Sequence, residues 1–129
     1  MATVGQLMTS DLSVITEDAT VKQAAGQMQD QHIGSLLVKK GEDFSGIITE
    51  TDVVRAVAEQ DDAAGTSVAH VMSSPILTVE KKLSPHYARE LMADKRIRHL
   101  AVTEEGKIVG ILSARDLLAY FKTVSKEIS

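Results

Sequence analysis

Two short stretches carry side chains whose type and spacing suit ligand chemistry: Ser113-Ala114-Arg115-Asp116 and Thr49-Glu50-Thr51-Asp52. A carboxylate can accept both hydroxyls of a ribose cis-diol. A hydroxyl and free backbone N–H groups at a helix start suit a phosphate, assisted by the helix dipole. Arg115 offers a charge-assisted phosphate contact beside Asp116. The same Ser/Thr-x-x-Asp spacing also describes an ordinary helix cap, in which hydroxyl and carboxylate serve the backbone. The residues alone leave both roles open for Asp116 and for Asp52.

Each stretch needs a strand that delivers it and a helix that starts with it. Gly110-Ile111-Leu112 and Gly46-Ile47-Ile48 are apolar runs that lead into the two stretches, and they lie 64 residues apart. Sliding the whole chain by 64 gives a gapless match, with identical pairs such as Val4/Val68, Met8/Met72, Ala24/Ala88, Met28/Met92, Ile33/Ile97, Leu36/Leu100, Val38/Val102 and Asp52/Asp116. Most of these are apolar positions at core spacing, so one folding unit is used twice. The expected repeats are residues 1–62 and 63–129.

Within a repeat the pattern predicts βαββα. Val14-Ile15 is extended. Thr20 with Gln23 makes a capping box, and Val21, Ala24, Ala25 and Met28 line one helical face. Strands follow at Ile33 to Lys39 and Phe44 to Thr49, then a helix from Asp52 to Glu59. The second repeat has Ser84-Pro85 as cap and first helical residue, strands at Ile97 to Val102 and Ile108 to Leu112, and a helix from Asp116 to Phe121. The expected fold class is α/β of the α+β type. A unit of about 60 residues buries little surface alone. The two are therefore expected to close on each other as a pseudo-twofold pair, sheets face to face.

Bulk properties narrow the function. The chain has 129 residues, no cysteine and a net charge of −4. Disulfides, thiolate metal sites and cysteine nucleophiles are excluded. The four histidines, His32, His70, His86 and His99, show no His-x-x-x-His spacing, so no metal is required. No Gly-x-Ser-x-Gly, P-loop or nucleophile–base pair occurs, which favours binding over catalysis. No apolar run approaches the roughly 20 residues of a membrane helix, and no signal peptide is visible, so a cytoplasmic location is expected. Residues 1–62 carry a net −7 and residues 63–129 a net +3, which draws an anion to the second half. Two Phe, two Tyr, no Trp and an acidic total speak against nucleic-acid binding.

The pattern resembles the CBS-domain family, and the chain is similar to a stand-alone bacterial or archaeal CBS pair (a Bateman module). The resemblance rests on Val4-Gly5-Gln6-Leu7-Met8-Thr9 and Val68-Ala69-His70-Val71-Met72-Ser73, on Ile97-Arg98-His99-Leu100-Ala101-Val102, and on the two Gly-apolar-apolar-Thr/Ser-x-x-Asp turns. The family commonly has Pro where Ala101 stands. The resemblance implies an adenosyl ligand (AMP, ADP, ATP, NAD or S-adenosylmethionine) in the cleft between repeats, a homodimer, and regulation of an unidentified protein. It also implies the lining. In the main cleft Leu12, Ser13, Ile33 and Gly34 border the adenine, Ile111 lies beneath it, Arg98 and His99 approach the phosphates, and Ser113, Arg115 and Asp116 complete the site. The second cleft uses Thr49 and Asp52, with Ile47, Ile76, Leu77 and Ile97 around the base. It lacks the cations of the first, because Thr51 replaces Arg115, Gly34-Ser35 replace Arg98-His99, and Glu50 adds negative charge. A polyphosphate should prefer the Asp116 cleft. The competing reading is a ligand-free dimerisation or adaptor protein in which both aspartates cap helices and His99 is a hydrogen-bonded, partly buried histidine.

Overall fold

In a computed structural model the elements run α1 (Val4–Leu7), β1 (Val14–Thr16), α2 (Val21–Gln31), β2 (Ser35–Lys40), β3 (Asp43–Thr49), α3 (Glu50–Glu59), α4 (Val68–Val71), β4 (Thr78–Glu80), α5 (Pro85–Lys95), β5 (His99–Glu104), β6 (Lys107–Ser113) and α6 (Ala114–Ile128). The structure describes residues 1–128, with side-chain burial through Ser125. Ser129, the last residue of the second expected repeat, lies outside the described residues. Each repeat has the expected βαββα order, preceded by a single helical turn, α1 or α4, that the sequence pattern did not announce.

The long helices begin as their caps dictate. Thr20 Oγ1 accepts the Gln23 N–H at 3.1 Å, and Gln23 Oε1 accepts the Thr20 N–H at 2.9 Å. Ser84 Oγ accepts the Tyr87 N–H at 3.2 Å, with Pro85 opening α5. Val21, Ala24 and Met28 form the buried face of α2, and Pro85, Ala88 and Met92 that of α5. Both helices end on a left-handed residue, His32 and Arg96, each with φ 56°. The next N–H turns back into the helix, Ile33 to the Met28 carbonyl and Ile97 to the Met92 carbonyl, each at 3.0 Å. Strands β2 and β5 therefore start two residues later than the hydrophobic pattern indicated. Ile33 and Ile97 pack against their cores from outside the sheet.

Two three-stranded mixed sheets result, β1-β2-β3 and β4-β5-β6, each with a parallel first pair and an antiparallel second pair. The central strands are buried through Leu36, Leu37 and Val38, and through Leu100, Ala101 and Val102. Apolar residues on consecutive positions mean that both faces of these strands are covered.

The chain forms two compact units. One is residues 13–76; the other is residues 1–12 with residues 77–129. The N-terminal turn thus belongs with the second repeat: the Val4 N–H donates to the Leu83 carbonyl at 2.8 Å and the Thr9 N–H to the Ile111 carbonyl at 2.9 Å. The segment after α3 does the same for the first repeat, with the Val68 N–H on the Ala19 carbonyl at 2.7 Å and the Ser73 N–H on the Ile47 carbonyl at 2.8 Å. These bridges explain the glycine of each turn. A Cβ on Gly46 would sit 2.8 Å from the Ser73 carbonyl oxygen, and one on Gly110 3.0 Å from that of Thr9. Gly46 and Gly110 leave room for a backbone, whatever ligand the turn serves.

Candidate functional site

Strand β6 ends on Ser113, which lies opposite His99 at the start of β5. The Ala114 N–H donates to the Arg98 carbonyl at 2.8 Å, which ties the first residue of α6 to the entry of β5. Register therefore brings Arg98, His99, Ser113 and Asp116 together in one unit, with Ile111 two residues back along β6. Helix α6 begins two residues earlier than the sequence pattern indicated, so Asp116 is its third residue. The Ser113 N–H donates to Asp116 Oδ2 at 2.8 Å, and the Asp116 N–H donates to Ser113 Oγ at 3.2 Å. This is a reciprocal cap. It occupies one carboxylate oxygen. Among the described residues, Oδ1 accepts no hydrogen bond from within its own unit, and Asp116 is partly exposed. Arg115 is exposed beside it on the first turn. A carboxylate with an open oxygen, a helix N-terminus and the side chains of Arg98, His99 and Arg115 suit an anionic ligand that also carries hydroxyls.

The equivalent turn in the other unit has the same backbone and a different carboxylate. Ser35 pairs with Thr49 as His99 pairs with Ser113, and the Glu50 N–H donates to the Gly34 carbonyl at 3.1 Å. Asp52 Oδ2 accepts the Thr49 N–H at 2.9 Å and the Thr49 hydroxyl at 3.1 Å. Asp52 Oδ1 accepts Arg55 Nη2 at 2.7 Å and the Ser73 hydroxyl at 2.9 Å. Four donors match the roughly four acceptor positions of a carboxylate. Asp52 is 2% exposed, so this network is what allows a charge to sit there.

The remaining expected residues divide between the units. Leu12, Leu77 and Ile97 fall in the unit that holds Asp116; Ser13, Ile33, Gly34, Ile47, Thr49 and Ile76 fall in the unit that holds Asp52. The Ser13 hydroxyl donates to Gln31 Oε1 at 2.7 Å, and its carbonyl accepts the Leu37 N–H at 3.0 Å. Ile47 is buried, Leu12, Ile33, Ile76, Ile97 and Ile111 are partly buried, and Leu77 is exposed. Sequence reasoning missed Arg55 and Ser73. Arg55 was detectable, because it stands three residues after Asp52, at helical neighbour spacing, where the other repeat has Ala119. Ser73 lies 21 residues from Asp52, and nothing local announces the contact. Among the described residues no cluster of His, Asp and Glu could hold a metal ion, and no helix is long and apolar enough to cross a membrane.

Comparison with known proteins gives a consistent result. A family model for the CBS domain matches residues 4–59 and again 68–123. A solved structure of a putative signal-transduction protein with CBS domains from Burkholderia ambifaria is 31% identical, covers 93% of each chain and superposes with a TM-score of 0.89. An uncharacterized protein from Methanopyrus kandleri is 34% identical over 89% of this chain, which spans 60% of that relative's length. The CBS domain pair of protein MJ0100, solved with 5′-methylthioadenosine and S-adenosyl-L-methionine, has a TM-score of 0.86 over 95% of this chain and 98% of its own; at 18% identity it speaks to the fold alone.

Proposed function

The chain belongs to the CBS-domain family, and we propose that it is a regulatory module that binds an adenosyl ligand at the Asp116 turn. The observation that carries this reading is the state of Asp116. One oxygen holds the cap, and the other is left for the hydroxyls of a ribose. Ser113, the first N–H groups of α6, and Arg98, His99 and Arg115 serve the phosphate or other charged end. The residues assigned to the adenine by family resemblance, Leu12, Ser13, Ile33, Gly34 and Ile111, belong to the same proposal. MJ0100, which shares the fold, was solved with adenosyl compounds, and these guide the choice of ligands to test. AMP, ADP, ATP, NAD and S-adenosylmethionine are the members to test.

The chain acts by binding, without turnover, inside the cell where these compounds are held, and it passes the signal to a protein partner. A ligand that favours one arrangement of the module shifts its population by the difference in affinity. Self-association belongs to the proposal, because Val54 and Val57 on α3 and Leu118 on α6 are exposed large apolar side chains.

A thermal-shift panel with these five compounds, and GTP as control, tests the function. A ligand at about 100 times its Kd adds about 2.7 kcal/mol, a shift of several degrees. Shifts confined to adenosyl compounds support the reading. No shift with any of them turns both aspartates into helix caps and the chain into a ligand-free adaptor.

A further inference from the structure

The two turns share their backbone hydrogen bonds almost to the decimal. The N–H of Thr49 reaches its aspartate at 2.9 Å and that of Ser113 at 2.8 Å. The return bonds to the hydroxyls are 3.3 Å and 3.2 Å. The segment that bridges each strand also brings a hydroxyl in both cases, Ser73 in one unit and Thr9 in the other. In the first unit the Ser73 and Thr49 hydroxyls also donate to the aspartate, at 2.9 Å and 3.1 Å. The other difference is the residue one helical turn beyond the aspartate. In α3 it is Arg55; in α6 it is Ala119. Arg55 Nη2 donates to Asp52 Oδ1 at 2.7 Å and to the Val71 carbonyl at 3.3 Å, so the guanidinium is fixed to the turn and to the segment that covers it.

We infer that this position decides which turn takes a ligand: Arg55 closes the Asp52 turn from within, and Ala119 leaves the Asp116 turn open, so that one adenosyl ligand binds per chain. The inference rests on the nucleotide reading of the Asp116 turn. Its chemical basis is competition for lone pairs. A ribose diol presents two O–H donors, and the carboxylate must have acceptor positions to receive them. At Asp52 those positions already hold a cation and two hydroxyls. The guanidinium also cancels the charge that makes a carboxylate a strong acceptor, and it does so without a ligand present. An arginine at position 119 has the same helical spacing to Asp116 that Arg55 has to Asp52.

Isothermal titration with AMP, and separately with S-adenosylmethionine, tests this on wild-type protein, Ala119→Arg and Ala119→Met. Wild type takes up one ligand per chain. Ala119→Arg binds about 10- to 100-fold more weakly, with a melting temperature equal to wild type or higher, because the carboxylate gains a partner. Ala119→Met has similar bulk without charge and retains wild-type affinity. Two equivalent ligands per wild-type chain, wild-type binding by Ala119→Arg, or equal loss in both variants overturns the inference. The wild-type stoichiometry stands even if a variant fails to fold. Binding of neither compound to wild type is a different result, since it removes the nucleotide reading itself.

Discussion

The Ser113 N–H and the Asp116 carboxylate are 2.8 Å apart, and the same carboxylate is the one proposed to meet a ribose. Cap and ligand duties can be separated by substitution. Asp116→Asn keeps an oxygen to accept the Ser113 N–H but loses the charge. Its stability should change by less than about 1 kcal/mol, while nucleotide affinity falls about tenfold or more. Asp116→Ala should lose both, with about 0.5–2 kcal/mol of stability. Urea unfolding and calorimetric titration on the same samples check the split.

Asp52 should respond in the opposite proportion. Asp52→Ala leaves the Thr49 and Ser73 hydroxyls and Arg55 without their acceptor in a partly buried site. Arg55 is 47% exposed and recovers part of its hydration, so the loss is placed at about 2–3 kcal/mol, short of a fully buried pair. Nucleotide binding at the Asp116 turn should persist in protein that remains folded. The measurement is again urea unfolding, with binding assayed below the transition.

Gly110→Ala and Gly46→Ala should each destabilise by about 1–3 kcal/mol. The new methyl group meets Met8 Sδ and the Thr9 carbonyl at one site, and Met72 Sδ at 2.7 Å with the Ser73 carbonyl at the other. The sulfurs can move, whereas the bridging backbone cannot without losing its hydrogen bonds. A neutral result by thermal melting would show that the bridging segments yield to the added methyl group.

Val54→Glu and Leu118→Glu place charges on side chains that are 69% and 71% exposed, so neither should cost the monomer much stability. Each should weaken self-association, seen by sedimentation as a shift towards monomer at micromolar concentration. A wild-type chain that is monomeric under those conditions removes the dimer from the proposal.

Much of the fold could be read because the chain states it twice. A chance pattern does not repeat in gapless register, so Val21, Ala24 and Met28 in α2 and the paired Ala88 and Met92 in α5 identified both helical faces. Boundaries were read less well where geometry opposes residue preference. His32 and Arg96 take the left-handed conformation that glycine usually marks, and so the helix ends were invisible. The Asp116 and Asp52 turns were legible as a spacing, but their difference was not. That difference lies in a helical neighbour, Arg55, and in a hydroxyl brought from residue 73, and both need three-dimensional information. The exchange of the helical turns α1 and α4 between repeats was equally hidden, because Val4–Leu7 and Val68–Val71 have the same local pattern whichever sheet they join.

That exchange has a consequence for how the protein is made. The unit of residues 13–76 is continuous in sequence, so a growing chain has all of that unit's parts once residue 76 is free. The other unit is not continuous. Residues 1–12 are made before the continuous unit and must wait for strands made after it. The turn with the open carboxylate thus belongs to the half with the higher contact order, whose assembly requires closing a loop of about 64 residues. The half whose aspartate is already satisfied can fold early, and the half with the proposed ligand turn is completed after it.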